Sequence, residues 1–179
     1  MDRPRHTEGD APLILTAELP KDLHRWATRL RTEHFPPERN YLEAHVTLFH
    51  ALPPQYEEEA CDYLKQLVSE FAPIEARLEG IMSLGGGTAL KLSSIDMLTL
   101  RDQIADRFHG LLAQQDQHRP RLHVTIQNKV AAKEAKALQQ VLEFTVEPCD
   151  FRFAGLALHR YRGGPWDFVR RFAFRGAAG

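Results

Sequence analysis

Apolar positions along the chain alternate between a period of two and a period near 3.6. Leu13-Ile14-Leu15-Thr16-Ala17 is a short run rich in strand formers and predicts a strand. Pro20 and Lys21-Asp22 open a helical pattern with Leu23, Trp26, Ala27 and Leu30 on one face, ended by Pro36-Pro37. Residues 44–49 predict a second strand. Pro53-Pro54 lead into a helix with Ala60, Leu64, Leu67, Val68 and Phe71 on one face, and 74–81 alternates as a strand. After the glycines of 83–88 the order begins again. Residues 89–92 predict a strand, and Asp96 caps a helix carrying Leu100, Ile104, Phe108, Leu111 and Leu112. Arg119-Pro120 break that helix, and 122–126 form the next strand. An Ala-, Lys- and Glu-rich helix covers 131–141, 151–156 forms a strand, and a hairpin turning at Gly163-Gly164-Pro165 closes the chain near 175.

The two halves are therefore copies of one strand–helix–strand–helix–strand unit, spanning roughly 12–82 and 88–160. Counting from the first strand of each, a histidine follows after 32 residues in one copy and 34 in the other. Two such units predict one domain with two pseudo-symmetric lobes, their sheets facing each other and their helices outside.

Composition narrows the setting. A chain of 179 residues, 43% hydrophobic and 26% charged, is of single-domain size and ordinary globular make-up. Its net charge of −1 carries no global attraction to nucleic acid or membrane, so any basic site is a local patch. Two cysteines, Cys61 and Cys149, exclude a disulfide scaffold and a four-cysteine zinc site. No apolar run approaches the 18 residues of a membrane span, and the polar residues 1–10 do not read as a signal peptide, so a cytoplasmic location is expected. Residues 1–10 and the tail after Arg175 read as frayed ends.

The chemistry is concentrated where the repeats align, in Ala44-His45-Val46-Thr47-Leu48 and Leu122-His123-Val124-Thr125-Ile126. Strand alternation puts Val46 and Val124 in the core, and His45, Thr47 and Phe49, or His123, Thr125 and Gln127, on the opposite face. With nine histidines and thirteen Ser or Thr, chance gives roughly 0.65 bare His-x-Ser/Thr matches. Requiring apolar residues before, between and after lowers that to about 0.05. Two such matches at equivalent points of a repeat point to a shared task. A neutral imidazole can take a proton from an attacking hydroxyl or water while a protonated one supplies the leaving oxygen. Two threonine hydroxyls can donate to the non-bridging oxygens of a phosphate held between them.

These motifs and the duplication that holds them resemble the two-histidine (2H) phosphoesterase superfamily, which includes the bacterial RNA 2′,3′-cyclic phosphodiesterases, often called 2′-5′ RNA ligases. The resemblance covers roughly residues 12–175. It implies a bilobal α+β fold, with two antiparallel sheets facing a central cleft. It also implies metal-independent hydrolysis or transesterification of cyclic or 2′-5′ phosphodiesters; hydrolysis of 2′,3′-cyclic phosphates of RNA ends or small nucleotides, with no cofactor, is the leading expectation. His45 and His123 would be the acid–base pair, and Thr47 and Thr125 the phosphate ligands. The expected partner is an RNA or nucleotide with a cyclic phosphate or 2′-5′ linkage, met by a monomer. Two alternatives stay open: the same cleft binding RNA or phosphate without turnover, and the ligase direction, which uses the same acid and base in exchanged roles.

Outside the motifs, residues 150–175 hold six arginines against two aspartates, with Tyr161 and Trp166 among them. Arginines beside aromatics suit phosphates and bases, so Arg160, Tyr161, Arg162 and Trp166 are candidate substrate contacts; a charged edge hairpin is the plainer alternative. Phe49 and Gln127 are candidates too, or else they seal the cleft floor. His50 and Lys129 are weaker ones. No His-Glu-x-x-His or paired carboxylate lies near either motif, so no metal site is expected, and Gly85-Gly86-Gly87-Thr88 lacks the Lys of a phosphate-binding loop and reads as a turn.

Overall fold

The structure is a computed structural model and describes residues 11–177; of the ends expected to fray, 1–10, His6 among them, and 178–179 lie outside that range, whereas Gly176 is tied down, its amide donating to the Phe71 carbonyl at 2.8 Å. Its strands are β1 (Leu13–Glu18), β2 (Val46–Leu52), β3 (Ile74–Ser83), β4 (Thr88–Ser93), β5 (His123–Gln127), β6 (Cys149–Phe153), β7 (Gly155–Arg160) and β8 (Asp167–Ala173). Its helices are α1 (Lys21–His34), α2 (Glu57–Val68), α3 (Ile95–Arg107) and α4 (Ala132–Thr145). The strands form two four-stranded sheets, ordered β2-β1-β7-β8 and β5-β4-β3-β6, with every pairing antiparallel.

The sheet orders correct the expected division into lobes. The last strand of each repeat leaves its own sheet, while β6 stays with β4 and β5: β3 pairs with β4 of the second repeat, and β7 pairs with β1 of the first. Each sheet thus draws on both repeats, and the segments 12–82 and 88–160 are not the lobes themselves. The single strand expected over 151–156 is two strands in different sheets. Ala154 is the crossing point, and its neighbour Gly155 sits where a Cβ would run into the carbonyl of Phe172 on β8. That close approach requires glycine.

Helix boundaries follow local chemistry. The α3 N-cap is Ser94, not Asp96: the Ser94 hydroxyl accepts from the Met97 amide at 3.2 Å and donates to the Glu75 carbonyl at 2.6 Å, which joins the helix start to β3. Asp96 lies in the first turn, where its charge suits the helix N-terminus. Leu111 and Leu112 lie beyond α3, which ends before the left-handed Gly110. Helix α2 buries Ala60, Leu64, Leu67 and Val68 as its spacing requires and packs on β8. Helices α3 and α4 cover the other sheet, while α1 packs against β5, across from its own sheet. One core of buried side chains runs through both sheets, with Leu15, Leu48, Leu64, Leu90, Leu100 and Phe153 at 1% exposure or less. Among the described residues, no helix is long and apolar enough to cross a membrane.

Candidate active site

The edge strands β2 and β5 come alongside each other where the sheets meet, and each carries one His-Val-Thr motif. Val46 and Val124 are 0% and 1% exposed, while His45, Thr47, His123 and Thr125 are half-buried on the opposite face, as alternation requires. The imidazoles are held alike. The His45 Nδ1 lies 2.8 Å from the Glu43 carbonyl, and the His123 Nδ1 lies 2.6 Å from the Arg121 carbonyl. A carbonyl can only accept, so Nδ1 carries the hydrogen in both rings and leaves Nε2 as the atom available for proton transfer.

Alternation fails just past each threonine, in the same way in both copies. Thr47 faces Thr16 but Phe49 faces Leu15, and Thr125 faces Ala89 but Gln127 faces Thr88. The histidine strand advances two residues for one on its partner, a bulge that adds Leu48 in one copy and Ile126 in the other. Phe49 and Gln127 are therefore turned inward. Phe49 is fully buried, with the Arg101 guanidinium 4.1 Å from its ring centroid, and Gln127 accepts a 3.0 Å hydrogen bond from the Thr88 hydroxyl beneath α4. Neither lies on the cleft wall as a substrate contact.

The histidines have different surroundings. Beside His45 opens a cavity of about 550 Å³ lined by Thr16, Tyr41, His159, Trp166 and Phe168, with the Arg171–Glu18 ion pair at 2.5 Å in its wall. The Trp166 ring stands edge-on to His45 with centroids 4.6 Å apart, and lies 5.4 Å from His159. Burial pushes the His45 pKa down to about 4; the Glu43 carbonyl opposes this, and the charges of Arg31, His159 and His123 add to it. Burial also lowers the pKa of His159, whose Nε2 lies 3.4 Å from the Thr16 hydroxyl.

Of the candidates on the closing hairpin, only Trp166 lines this cavity. Arg160 points to the other face of its sheet and pairs with Glu57 of α2, because β7 turns Ala157 and His159 to the cavity and Leu158 and Arg160 away. Arg162 is 2.7 Å from Asp167 across the turn, and Tyr161 is exposed outside the cavity. His50 lies against the buried carboxylate of Asp116 at 3.2 Å, and Lys129 takes a left-handed turn conformation after β5. Sequence reasoning missed His159 and Phe168. Continuing the β7 alternation through 157 and 159 marks the first; the β8 register shift between Leu158 and His159 hides the second. In the β4–β5 register the exposed Lys91 stands directly opposite His123. Among the described residues, no cluster of three or more His, Cys, Asp or Glu could hold a metal ion.

Solved structures share this arrangement of elements. TT0787 of Thermus thermophilus superposes with a TM-score of 0.62 at 21% identity, covering 93% of this chain and all of that one. E. coli LigT complexed with NADP+ gives 0.58 at 17% identity over 93% and 99% of the two chains. A structure described as a phosphoesterase gives 0.56 at 17% identity over 92% and 98%. No curated protein matches the chain. The family model of the 2′-5′ RNA ligase superfamily matches residues 19–165, more than four-fifths of the sequence and both His-Val-Thr motifs, and the chain belongs to that superfamily.

Proposed function

We propose that this protein is a metal-independent phosphodiesterase that opens 2′,3′-cyclic phosphates of RNA ends or small nucleotides. The observation that carries the reading is the pair of histidines. They share one Nδ1-to-carbonyl bond and one orientation on adjoining edge strands, but only His45 stands over an aromatic cavity. With a pKa near 4, His45 is neutral at pH 7 and is the base. Its Nε2 takes a proton from water, and the water oxygen forms a bond to phosphorus. The bond from phosphorus to one ribose oxygen breaks, and that oxygen takes a proton from the His123 imidazolium. The product is a phosphomonoester with a free ribose hydroxyl, and exchange with solvent resets the pair. Thr47 and Thr125 donate to the non-bridging oxygens as charge builds on them. The Trp166–His159–Phe168 cavity is wide enough for a nucleoside and offers aromatic faces for a base. E. coli LigT, of the same fold, is known complexed with 3′-AMP and with ATP, which fits a nucleotide in this cleft. The reading takes the chain as one domain, a monomer and cytoplasmic.

The test is turnover of the four 2′,3′-cyclic nucleotides and of oligoribonucleotides ending in a cyclic phosphate, with EDTA present, followed by phosphorus NMR. The expected result is a phosphomonoester, with His45→Ala or His123→Ala each costing about a hundredfold or more. Binding of these compounds with no product from any of them favours a binding module instead, and joining of RNA ends without hydrolysis favours the ligase direction; either result sinks the proposal.

A further inference from the structure

Helix α1 touches both motifs. The Thr28 hydroxyl accepts from the Ala44 amide at 3.2 Å, next to His45, and one turn later Arg31 reaches the other motif. The Arg31 Nη1 donates to the Thr125 carbonyl at 3.0 Å, its Nε donates to the Asn40 side chain at 2.8 Å, and its guanidinium lies 4.1 Å from the Phe35 ring centroid. Arg31 is 4% exposed, and among the described residues no carboxylate pairs with it. Burial lowers its pKa to about 10, which leaves it charged at neutral pH.

A buried charge without a counter-charge is expensive, and an apolar side chain of similar length would fill this space at lower cost. The second repeat supplies the comparison. Arg101 of α3 likewise crosses to the other repeat, donating to the Leu48 carbonyl at 3.3 Å and stacking on Phe49. Arg101, however, donates to the backbone carbonyl of the buried Asp116, and the negative charges of Asp116 and Asp102 act on it; the Asp116 carboxylate itself accepts from the His50 and Ala51 amides at 2.8 to 3.0 Å. That arginine has opposite charges close by within a scaffold network, whereas among the described residues Arg31 has none acting on it.

We infer that Arg31 is the positioning residue that ties the two motifs into one acid–base unit, holding the Thr125 backbone from the helix that braces His45 and placing an uncancelled positive charge beneath the phosphate site. The inference rests on the reaction proposed above and adds a residue that acts through Thr125 and His45 without touching substrate. The charge does two things. It favours an anionic phosphodiester in the cleft, and it adds to burial in holding the His45 pKa down. The groups acting on the His45 ring are Arg31 from α1, His123 from β5 and His159 from β7, with the Glu43 carbonyl as its hydrogen-bond acceptor. Lys21, and Glu43 with His24 beside it at 3.4 Å, line the same cavity.

The experiment compares Arg31→Met and Arg31→Lys with the wild type by NMR titration of the His45 imidazole, by kcat and KM on a 2′,3′-cyclic nucleotide across pH, and by urea unfolding. Arg31→Met is expected to raise the His45 midpoint by about half a pH unit or more, because a positive neighbour is gone. The acidic limb of the rate profile should move up with it, and kcat should fall about tenfold or more as Thr125 loses its brace. Arg31→Lys keeps the charge, so its midpoint should stay near the wild-type value while kcat falls by less. An unchanged His45 midpoint in Arg31→Met, with loss confined to urea stability, overturns the inference. If Arg31→Met does not fold, Arg31→Gln, which retains a donor for Thr125, takes its place; failure of both to fold also overturns it. Should the wild type turn over no cyclic nucleotide, the assigned reaction fails, and the His45 titration still decides the role of Arg31.

Discussion

Replacing His45 by Gln should change how stability depends on pH, whatever the enzyme's substrate. In the folded protein the His45 pKa is about 4, against an ordinary value of 6.5, mainly because burial disfavours the charged ring. Between those values the unfolded chain binds the proton and the folded one does not, so folding becomes less favourable as pH falls. The contribution is fully present above pH 6.5 and is lost progressively down to about pH 4. At about 1.36 kcal/mol per pH unit the full difference is roughly 3 kcal/mol, and nearer 2 once solvent reaching the half-buried ring is counted. Against a total stability of about 5–15 kcal/mol, that is large enough to measure. Urea unfolding at half-unit steps from pH 7.5 to 4 gives the curve. The wild type should lose about 2–3 kcal/mol more than His45→Gln over this range, with equal m-values. Taking the difference removes His159, which is shifted the same way, and Asp102 and Asp116, whose lowered pKa values cost stability only at more acidic pH. Parallel curves for the two proteins would refute the environment assigned to His45, and with it the choice of His45 as the base.

Other substitutions separate the cleft from its surroundings. Trp166→Ala should raise KM for a cyclic nucleotide about tenfold or more by removing the ring against His45, whereas Arg160→Ala, on the far face, should leave kcat and KM within about twofold in steady-state assays. Thr47→Val and Thr125→Val should each lower kcat/KM by about 2–4 kcal/mol in transition-state terms while leaving the urea midpoint little changed. Gln127→Leu removes the shortest hydrogen bond of the buried Thr88 hydroxyl, leaving it the Ala135 carbonyl and the Gln139 side chain, and should cost about 1 kcal/mol in urea unfolding with KM unaltered, the reverse of what a substrate contact would give.

What was legible in the sequence, and what was not, follows from how far each residue's placement depends on its neighbours in the chain. His45, Thr47, His123 and Thr125 sit on short regular stretches where period-two alternation governs, and a duplicated motif made them stand out. Phe49 and Gln127 lie two residues further on, past bulges that come from pairing with β1 and β4 and leave no mark in the local pattern. Ala154 ends one strand and Gly155 begins another in a different sheet, yet the apolar run through them is continuous; only the distant Phe172 carbonyl explains the glycine. Arg160 was read from its closeness to a turn, when the alternation of β7 excludes it and selects His159. Arg31 carries no sequence signal at all, because its partner Thr125 lies 94 residues away.

The crossing of β3 and β7 into opposite sheets bears on the chemistry. Strands β2 and β5 lie in different sheets, and had each repeat kept all its own strands, the two repeats would be joined by a packing interface alone. Exchange makes each sheet a joint product of both repeats, so one repeat cannot separate from the other without breaking the β1–β7 and β3–β4 ladder hydrogen bonds. Helix α1 adds a direct tie at the level of the motifs through Thr28 and Arg31. Symmetry at the backbone gives the two imidazoles the same Nδ1 bond, which leaves Nε2 of each ring for proton transfer. The difference between them then comes from what only one side carries: the cavity, Trp166 and His159 all lie beside His45. Acid–base catalysis needs that combination, because two identical histidines would share one protonation state near neutral pH, while two unrelated ones would not be aimed at a single phosphorus.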